Sequence, residues 1–307
     1  MTAPVVPQAA PSADFEAGAR PRAASGNPVT RFISKTPVHV ALIAICLVWM
    51  VPTIALLISS FREAQDVSST GWWTAVSPPF DFTAENYERV LTTNNLGQSF
   101  VNSLFVTIPA TVIPIMVAAF AAYAFAWMSF PGRDVLFLLI VGLLVVPLQS
   151  ALIPILQLFV GLDINNTFLA IWLAHTGFGL PFAIYLLRNF FGALPREMFE
   201  SAYIDGASPV TAFFRLALPT SVPALAALAI FQFMWVWNDL LIAFLYLGGT
   251  PDVAPLTVTI ANMVGSLGQA QHLLTAAAFV SMALPLVVFF SLQRYFVRGI
   301  LGGSVKG

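Results

Sequence analysis

The sequence predicts an all-α membrane protein with six transmembrane helices, on three observations. Of its 307 residues, 58% are hydrophobic and only 9% are charged, against roughly 25% charged in soluble domains. The charges are also segregated. No Asp, Glu, Lys or Arg occurs from Val90 to Gly132 or from Val253 to Gln293, as expected where a charge at the bilayer centre costs about 3 kcal/mol or more. Finally, apolar runs of the roughly 20 residues needed to cross a bilayer recur at 38–60, 99–127, 135–160, 167–187, 221–247 and 273–296.

In chain order, residues 1–37 are rich in Ala, Pro, Ser and Gly, with Arg20, Arg22, Arg31 and Lys35 among them. This composition reads as a disordered tail. The first apolar run lies too far from the start for a cleaved secretory signal, so 38–60 is expected to be a retained anchor. It contains the single cysteine, Cys46, which excludes a disulfide framework and a cysteine-based metal site. Cys46 is expected to be a small core hydrophobe.

Segment 61–98 carries Glu63, Asp66, Asp81, Glu85 and Glu88, with Trp72 and Trp73 placed to anchor at an interface. The second and fifth runs are long, which implies tilt or a part outside the hydrocarbon. Pro52, Pro109, Pro114, Pro147, Pro154 and Pro285 lie inside runs and each removes a backbone donor, so kinks are expected. The six-helix domain occupies 38–297, and 298–307 is a second tail.

Orientation follows from Lys and Arg. With the N-terminus inside, of the 13 basic residues only Arg62 and Arg89 fall in outer loops. Both termini are therefore expected in the cytoplasm. No internal repeat is visible at the level of residues, so an inverted-repeat secondary transporter gains no support.

The longest inner loop, 188–220, contains Arg188-Asn-Phe-Phe-Gly-Ala-Leu-Pro-Arg-Glu-Met-Phe-Glu-Ser-Ala-Tyr-Ile-Asp-Gly-Ala-Ser-Pro and continues to Phe213-Phe-Arg-Leu-Ala-Leu-Pro219. Its punctuation predicts two short helices. Pro195 suits a first helical turn, with Glu197 and Glu200 near the positive end of the dipole. Gly206 fits a left-handed C-terminal cap. Ser208-Pro209 is an N-cap followed by proline at the first helical position, and Pro219 is expected to end the second helix.

Glu200-Ser-Ala-Tyr-Ile-Asp-Gly206 followed by Leu218-Pro219 resembles the EAA loop of binding-protein-dependent ABC importers, with Ser201 in place of the first alanine. Leu180-Pro-Phe-Ala-Ile-Tyr-Leu-Leu-Arg188, Ile204-Asp-Gly-Ala-Ser208 and Trp237-Asn-Asp-Leu240 resemble the carbohydrate-uptake branch and its MalG-like permeases. The likeness runs from about residue 38 to 300. It implies the ABC type I importer permease fold, in which this loop forms a coupling helix docked in a groove of an ATP-binding subunit. The docking positions it implies are Glu200, Ser201, Ala202, Asp205, Gly206, Ala207 and Pro219. It also implies a dimer of ATP-binding subunits, a second non-identical permease and an extracytoplasmic sugar-binding protein, in the lipid of the inner membrane.

The chain itself lacks the parts of a motor or an enzyme. A P-loop needs Gly-x4-Gly-Lys-Ser/Thr, and neither Lys35 nor Lys306 stands in that context. No cofactor is expected to bind directly, and ATP and Mg belong to the partner subunit. His39, His175 and His272 show no metal-ligand spacing, and no basic cluster points to nucleic acid.

Ionisable or amide groups inside spans are functional candidates by default. Asp239 and Asn238, preceded by Gln232 and Trp235, form the main group, with Gln149 on the third span. Two readings stay open: these residues line a sugar path, or Asn238 and Asp239 cap or lock helices against the neighbouring permease. Gln157, Asn102 and His175 are expected to make helix-packing hydrogen bonds. The near absence of charge along the spans favours a neutral, hydroxyl-rich solute, an oligosaccharide, over an ion. The rivals are an ABC permease for a polyol, glycerol phosphate or amino acid, and a proton-coupled secondary transporter.

Overall fold

The computed structural model describes residues 28–93, 95–266 and 270–304, with side chains over 36–93, 95–264 and 270–293. Most of the expected tail 1–37 and the last residues of the tail 298–307 lie outside the described residues. Contacts divide the chain into two units, residues 1–53 and 54–307. Every described element is helical or a turn, with no strand among the described residues.

The first helix, α1, runs Pro28–Ser60 and contains the membrane-length stretch Thr36–Ser60. Its apolar window has no buried side chain, and Cys46 is exposed. This corrects the core assignment for Cys46: an apolar side chain on a span need not reach a protein core, because lipid is an apolar solvent too.

The segment after α1 is structured rather than a loop. It forms α2 (Ala64–Ser69), a 3-10 turn at Trp72–Val76 and α3 (Glu85–Thr92). Arg62, only 4% exposed, donates to the Gly71 carbonyl (3.2 Å) and to the Thr70 (2.6 Å) and Thr74 (3.2 Å) hydroxyls. Asn86 on α3 donates to the Ser60 and Arg62 carbonyls. Trp73 is exposed, as an interfacial anchor requires.

The second span, α4 (Leu96–Trp127), packs along α7 (Phe168–Gly192). In lipid no hydrophobic force draws helices together, so close backbone approach and interhelical hydrogen bonds must do it. The facing residues fit that need. Ala110, Ala118 and Ala122 on α4 and Ala170, Ala174 and Ala183 on α7 are all buried. Two indoles fasten the pair near its ends: Trp172 Nε1–H donates to the Phe105 carbonyl (3.0 Å) and Trp127 Nε1–H to the Phe191 carbonyl (3.1 Å).

The third expected span is broken. α5 (Arg133–Gly142), a short 3-10 turn at Leu143–Val145 and α6 (Leu148–Gly161) turn by 103°. Of the prolines flagged in the sequence, Pro147 alone sits at this break, because Val146 before it is extended (ψ 120°) and Pro147 itself caps α6. Helices continue through Pro52, Pro109, Pro114, Pro154 and Pro285.

After α7 come α8 (Arg196–Ile204), α9 (Pro209–Ala212), a π turn at Phe213–Ala217 and α10 (Leu218–Thr220). α11 (Val222–Trp237) then leaves at 73°. Pro219 does not end the second loop helix. Proline lacks an N–H and clashes with the carbonyl four residues back, and the widened π turn, closed by Leu218 N–H to the Phe213 carbonyl, accommodates it. The direction changes at Ser221 instead.

The fifth expected span, 221–247, is also two helices. α11 stops at Trp237 and α12 begins at Leu241 and ends at Leu247. The next stretch holds a helix the hydropathy did not indicate, α13 (Leu256–Ser266), before α14 (Gln271–Ser304), whose stretch to Gln293 is of membrane length. Polar side chains of α4 hold α13 in place. Ser103 accepts from Leu256 N–H (2.8 Å), Ser99 pairs with Thr259 (2.7 Å), and Asn102 donates to the Asp252 (3.0 Å) and Ala254 (3.2 Å) carbonyls. Among the described residues four helices are long and apolar enough to span a membrane, or six counting each bent pair as one.

Candidate functional site

The loop between α7 and α11 is built from residues whose local chemistry leaves little choice. Gly206 has φ +83°, a conformation that costs other L-residues about 1–2 kcal/mol. It lets the chain close both bonds of a Schellman motif on α8: Gly206 N–H to the Tyr203 carbonyl (3.0 Å) and Ala207 N–H to the Ala202 carbonyl (2.9 Å). One residue on, Ser208 Oγ accepts from Thr211 N–H (3.2 Å), with Pro209 at the first position of α9.

One face of this projection is sunk into the transmembrane helices. Phe199, 1% exposed, stacks on Trp127 with ring centroids 3.9 Å apart and planes at 25°. Phe213 lies against Phe120 (4.8 Å) and Tyr123 (5.2 Å). The Tyr123 hydroxyl donates to the Pro209 carbonyl (3.0 Å) and lies 3.2 Å from the Tyr203 hydroxyl. Leu187 and Phe191 of α7 complete the same cluster. Loop, α4 and α7 therefore share one core at this end.

The other face is free. Glu200, Ser201, Asp205 and Gly206 are exposed, and Ile204 is 87% exposed. An open cleft of ≈ 380 Å³ lies between α8 and α9, walled by Ala202, Asp205, Gly206 and Ala207 on one side and Thr211, Ala212, Arg215 and Leu216 on the other. A Cβ built on Gly206 meets nothing within 4 Å. Of the seven positions singled out in the sequence, four line this cleft, and Glu200 and Ser201 lie on the neighbouring exposed face. Pro219 lies in α10, outside the cleft.

The second group sits where α11 gives way to α12. Asp239 caps α12: its carboxylate accepts from Ile242 N–H (3.3 Å) and Ala243 N–H (2.8 Å). Its carbonyl accepts from the Thr257 hydroxyl of α13 (2.6 Å). Within the chain this side chain therefore serves as a helix cap. Gln232 is buried and donates to the Ala110 carbonyl (3.1 Å) while packing on Gly179 of α7. Trp235 is half-buried, edge-on to His175 at 5.0 Å. Asn238 is exposed, its amide donating to the Met234 carbonyl (2.8 Å), and Gln149, next to the Pro147 break, is exposed. Asn238 and Gln149 are thus exposed, whereas Gln232 and Asp239 are engaged within the fold. Gln157 is exposed and Asn102 braces α13.

Residues 98–302 match the family model described as the binding-protein-dependent transport system inner membrane component. The chain belongs to this family. It is 56% identical over 283 residues to the osmoprotective compounds uptake permease protein GgtD of Synechocystis sp., covering 91% of this chain and 95% of that protein. It is 57% identical over 241 residues to the α-glucoside transport system permease protein AglG of Rhizobium meliloti, covering 77% of this chain and 63% of that protein. Among solved structures, a chain of a bacterial ABC transporter involved in the import of the acidic polysaccharide alginate superposes with a TM-score of 0.72, covering 88% of this chain and 99% of that one. At 21% identity that likeness establishes the permease fold.

The permease is accordingly a multi-pass inner membrane component, and its fold is that of ABC importer permeases. Sequence reasoning found the exposed side of its loop and missed the anchoring side. Tyr123 and Trp127 lie one helical turn apart at the end of α4, and Phe191 lies in the last turn of α7. A cluster of aromatics at one end of two long apolar runs is the signal that was present.

Proposed function

We propose that this permease forms half of the translocation pore of an ATP-driven importer for a neutral, hydroxyl-rich solute, a sugar or oligosaccharide. The observation that carries the reading is the two-sided loop, with its buried face fused to α4 and α7 and its other face open at Ala202, Asp205, Gly206 and Ala207. Such an element transmits a push from outside the membrane into two spanning helices.

The push comes from a dimer of ATP-binding subunits, which bind ATP and Mg and hydrolyse the nucleotide, because the chain has no P-loop. Glu200, Ser201, Asp205, Gly206 and Ala207 meet the groove of that subunit, Ala202 allows close approach, and Pro219 shapes the chain beyond it. The distribution of Lys and Arg supports a cytoplasmic position for this loop and both termini. A second, non-identical permease completes the pore, and an extracytoplasmic binding protein delivers the solute. Closure of the motor pair drives alternating access.

On the path, exposed Gln149 and the side-chain carbonyl of Asn238, whose amide is held by Met234, can meet hydroxyl groups. Trp235 offers an apolar ring edge, and Gln232 and Asp239 hold the walls. The α-glucoside relative favours a glycoside as cargo. The osmoprotectant relative favours a second reading, a small uncharged osmoprotective solute such as a polyol.

The test is uptake by the assembled complex in vesicles, loaded with ATP and supplied with binding protein, across glycosides, polyols, glycerol phosphate and amino acids. ATP-dependent uptake of a glycoside is the expected result. A response confined to a charged solute overturns the cargo, and transport by this chain alone under a proton gradient overturns the mechanism.

A further inference from the structure

His175 is a buried polar group that neither the loop nor the solute path uses. It lies on α7, is 0% exposed, and has no hydrogen-bond partner on Nδ1 or on Nε2. An imidazole sealed from water with neither nitrogen bonded is unfavourable, and native proteins rarely keep one without a use. Its Nε2 stands 3.7 Å from Asp239 Oδ2, a contact longer than a hydrogen bond to a group able to accept one. A relative shift of less than about 1 Å between α7 and the turn at Asn238–Leu240 closes it.

Asp239 joins three elements. Its carboxylate holds the first turn of α12 and its carbonyl holds Thr257 of α13. Whatever pulls on its carboxylate pulls on both. α7 is a single helix from Phe168 to Gly192. His175 lies about 24 Å along it from Phe191 at 1.5 Å per residue, and Phe191 is locked into the core shared with the loop.

We propose that His175 is a positioning residue that links the loop to the α11–α12 break. In one conformation of the transport cycle its Nε2–H donates to the Asp239 carboxylate, and in another, as here, the contact is open. A displacement of the loop is carried along α7, which stays helical through Pro181, and His175 transfers it to α12 and α13 at the far end. This rests on the reading of the chain as an ATP-driven permease.

The experiment uses the whole complex in vesicles, with two substitutions that keep bulk at the site. His175→Phe removes the donor and keeps a ring, while His175→Gln keeps a donor. The expected result is a loss of ATP-driven uptake of about 10-fold or more in His175→Phe, with most of it restored in His175→Gln. ATP hydrolysis without binding protein is expected to stay at the wild-type rate in both.

In parallel, His175→Cys with Asp239→Cys, in a Cys46→Ser background, is oxidised in nucleotide-free and in vanadate-trapped complexes. Disulfide yield is expected to differ between the two states. Wild-type uptake in His175→Phe, or equal crosslinking in both states of a normally assembled complex, overturns the proposal. If the wild-type complex shows no ATP-dependent uptake, the importer reading itself has failed, which is a separate result.

Discussion

Gly206 offers a substitution series in which backbone strain and docking separate. Its φ of +83° penalises any β-carbon by about 1–2 kcal/mol, less for Asn, which tolerates the left-handed region. Within the chain there is no steric cost, because a Cβ meets nothing within 4 Å. Gly206→Ala should therefore loosen the Schellman closure by about 1 kcal/mol, and Gly206→Leu by a similar amount. If the cleft beside Gly206 receives the ATP-binding subunit, however, the leucine must also be fitted into an interface packed at interior density, where extra volume costs about 1–3 kcal/mol. Uptake in Leu should then lie about 10- to 100-fold below that in Ala. The measurement is initial uptake rate in vesicles of the complex, with co-purification of the ATP-binding subunit as a second reading. Equal uptake in Ala and Leu would refute the docking argument, because strain alone treats them alike.

Other substitutions follow from the packing. Phe199→Ala removes a fully buried ring stacked on Trp127 and should destabilise the loop by about 3–5 kcal/mol, seen as faster tryptic cleavage at Arg196 and Arg215. Ser208→Ala loses the cap on α9 at about 1 kcal/mol, a small rise in the same cleavage rate. Gly179→Ala places a Cβ 2.9 Å from the Gln232 amide, forcing that side chain off the Ala110 carbonyl. Its thermal destabilisation in detergent should largely disappear in a Gln232→Ala background, a non-additive double-mutant cycle.

What the sequence disclosed depended on how local each cause was. The Gly206 cap and the Ser208-Pro209 start are decided within a few residues, and both could be read directly. Four uninterrupted spans were readable because a long apolar run has few alternatives. The break at Asn238–Leu240 was not, since apolar residues flank it on both sides and the cap comes from Asp239, whose side chain reads equally as a polar wall. α13 escaped because its retention depends on Ser99, Asn102 and Ser103, over a hundred residues earlier. Among the prolines, composition does not tell Pro147, where the helix breaks, from Pro154, where it continues. The difference lies in the extended Val146 before it. The buried half of the loop was hidden because the Tyr123–Pro209 and Trp127–Phe199 contacts join segments distant in the chain.

The caps on the loop bear on how the complex is put together. With its chain reversal closed by Gly206, Ala207 and Ser208 from within, the projection has its shape before any partner arrives. Association therefore does not have to order a flexible segment, a cost that commonly weakens binding by several kcal/mol. Mechanically, a pre-folded knob wedged on aromatic rings is stiff. Work done on it by a partner is passed into α4 and α7 rather than absorbed by bending the loop.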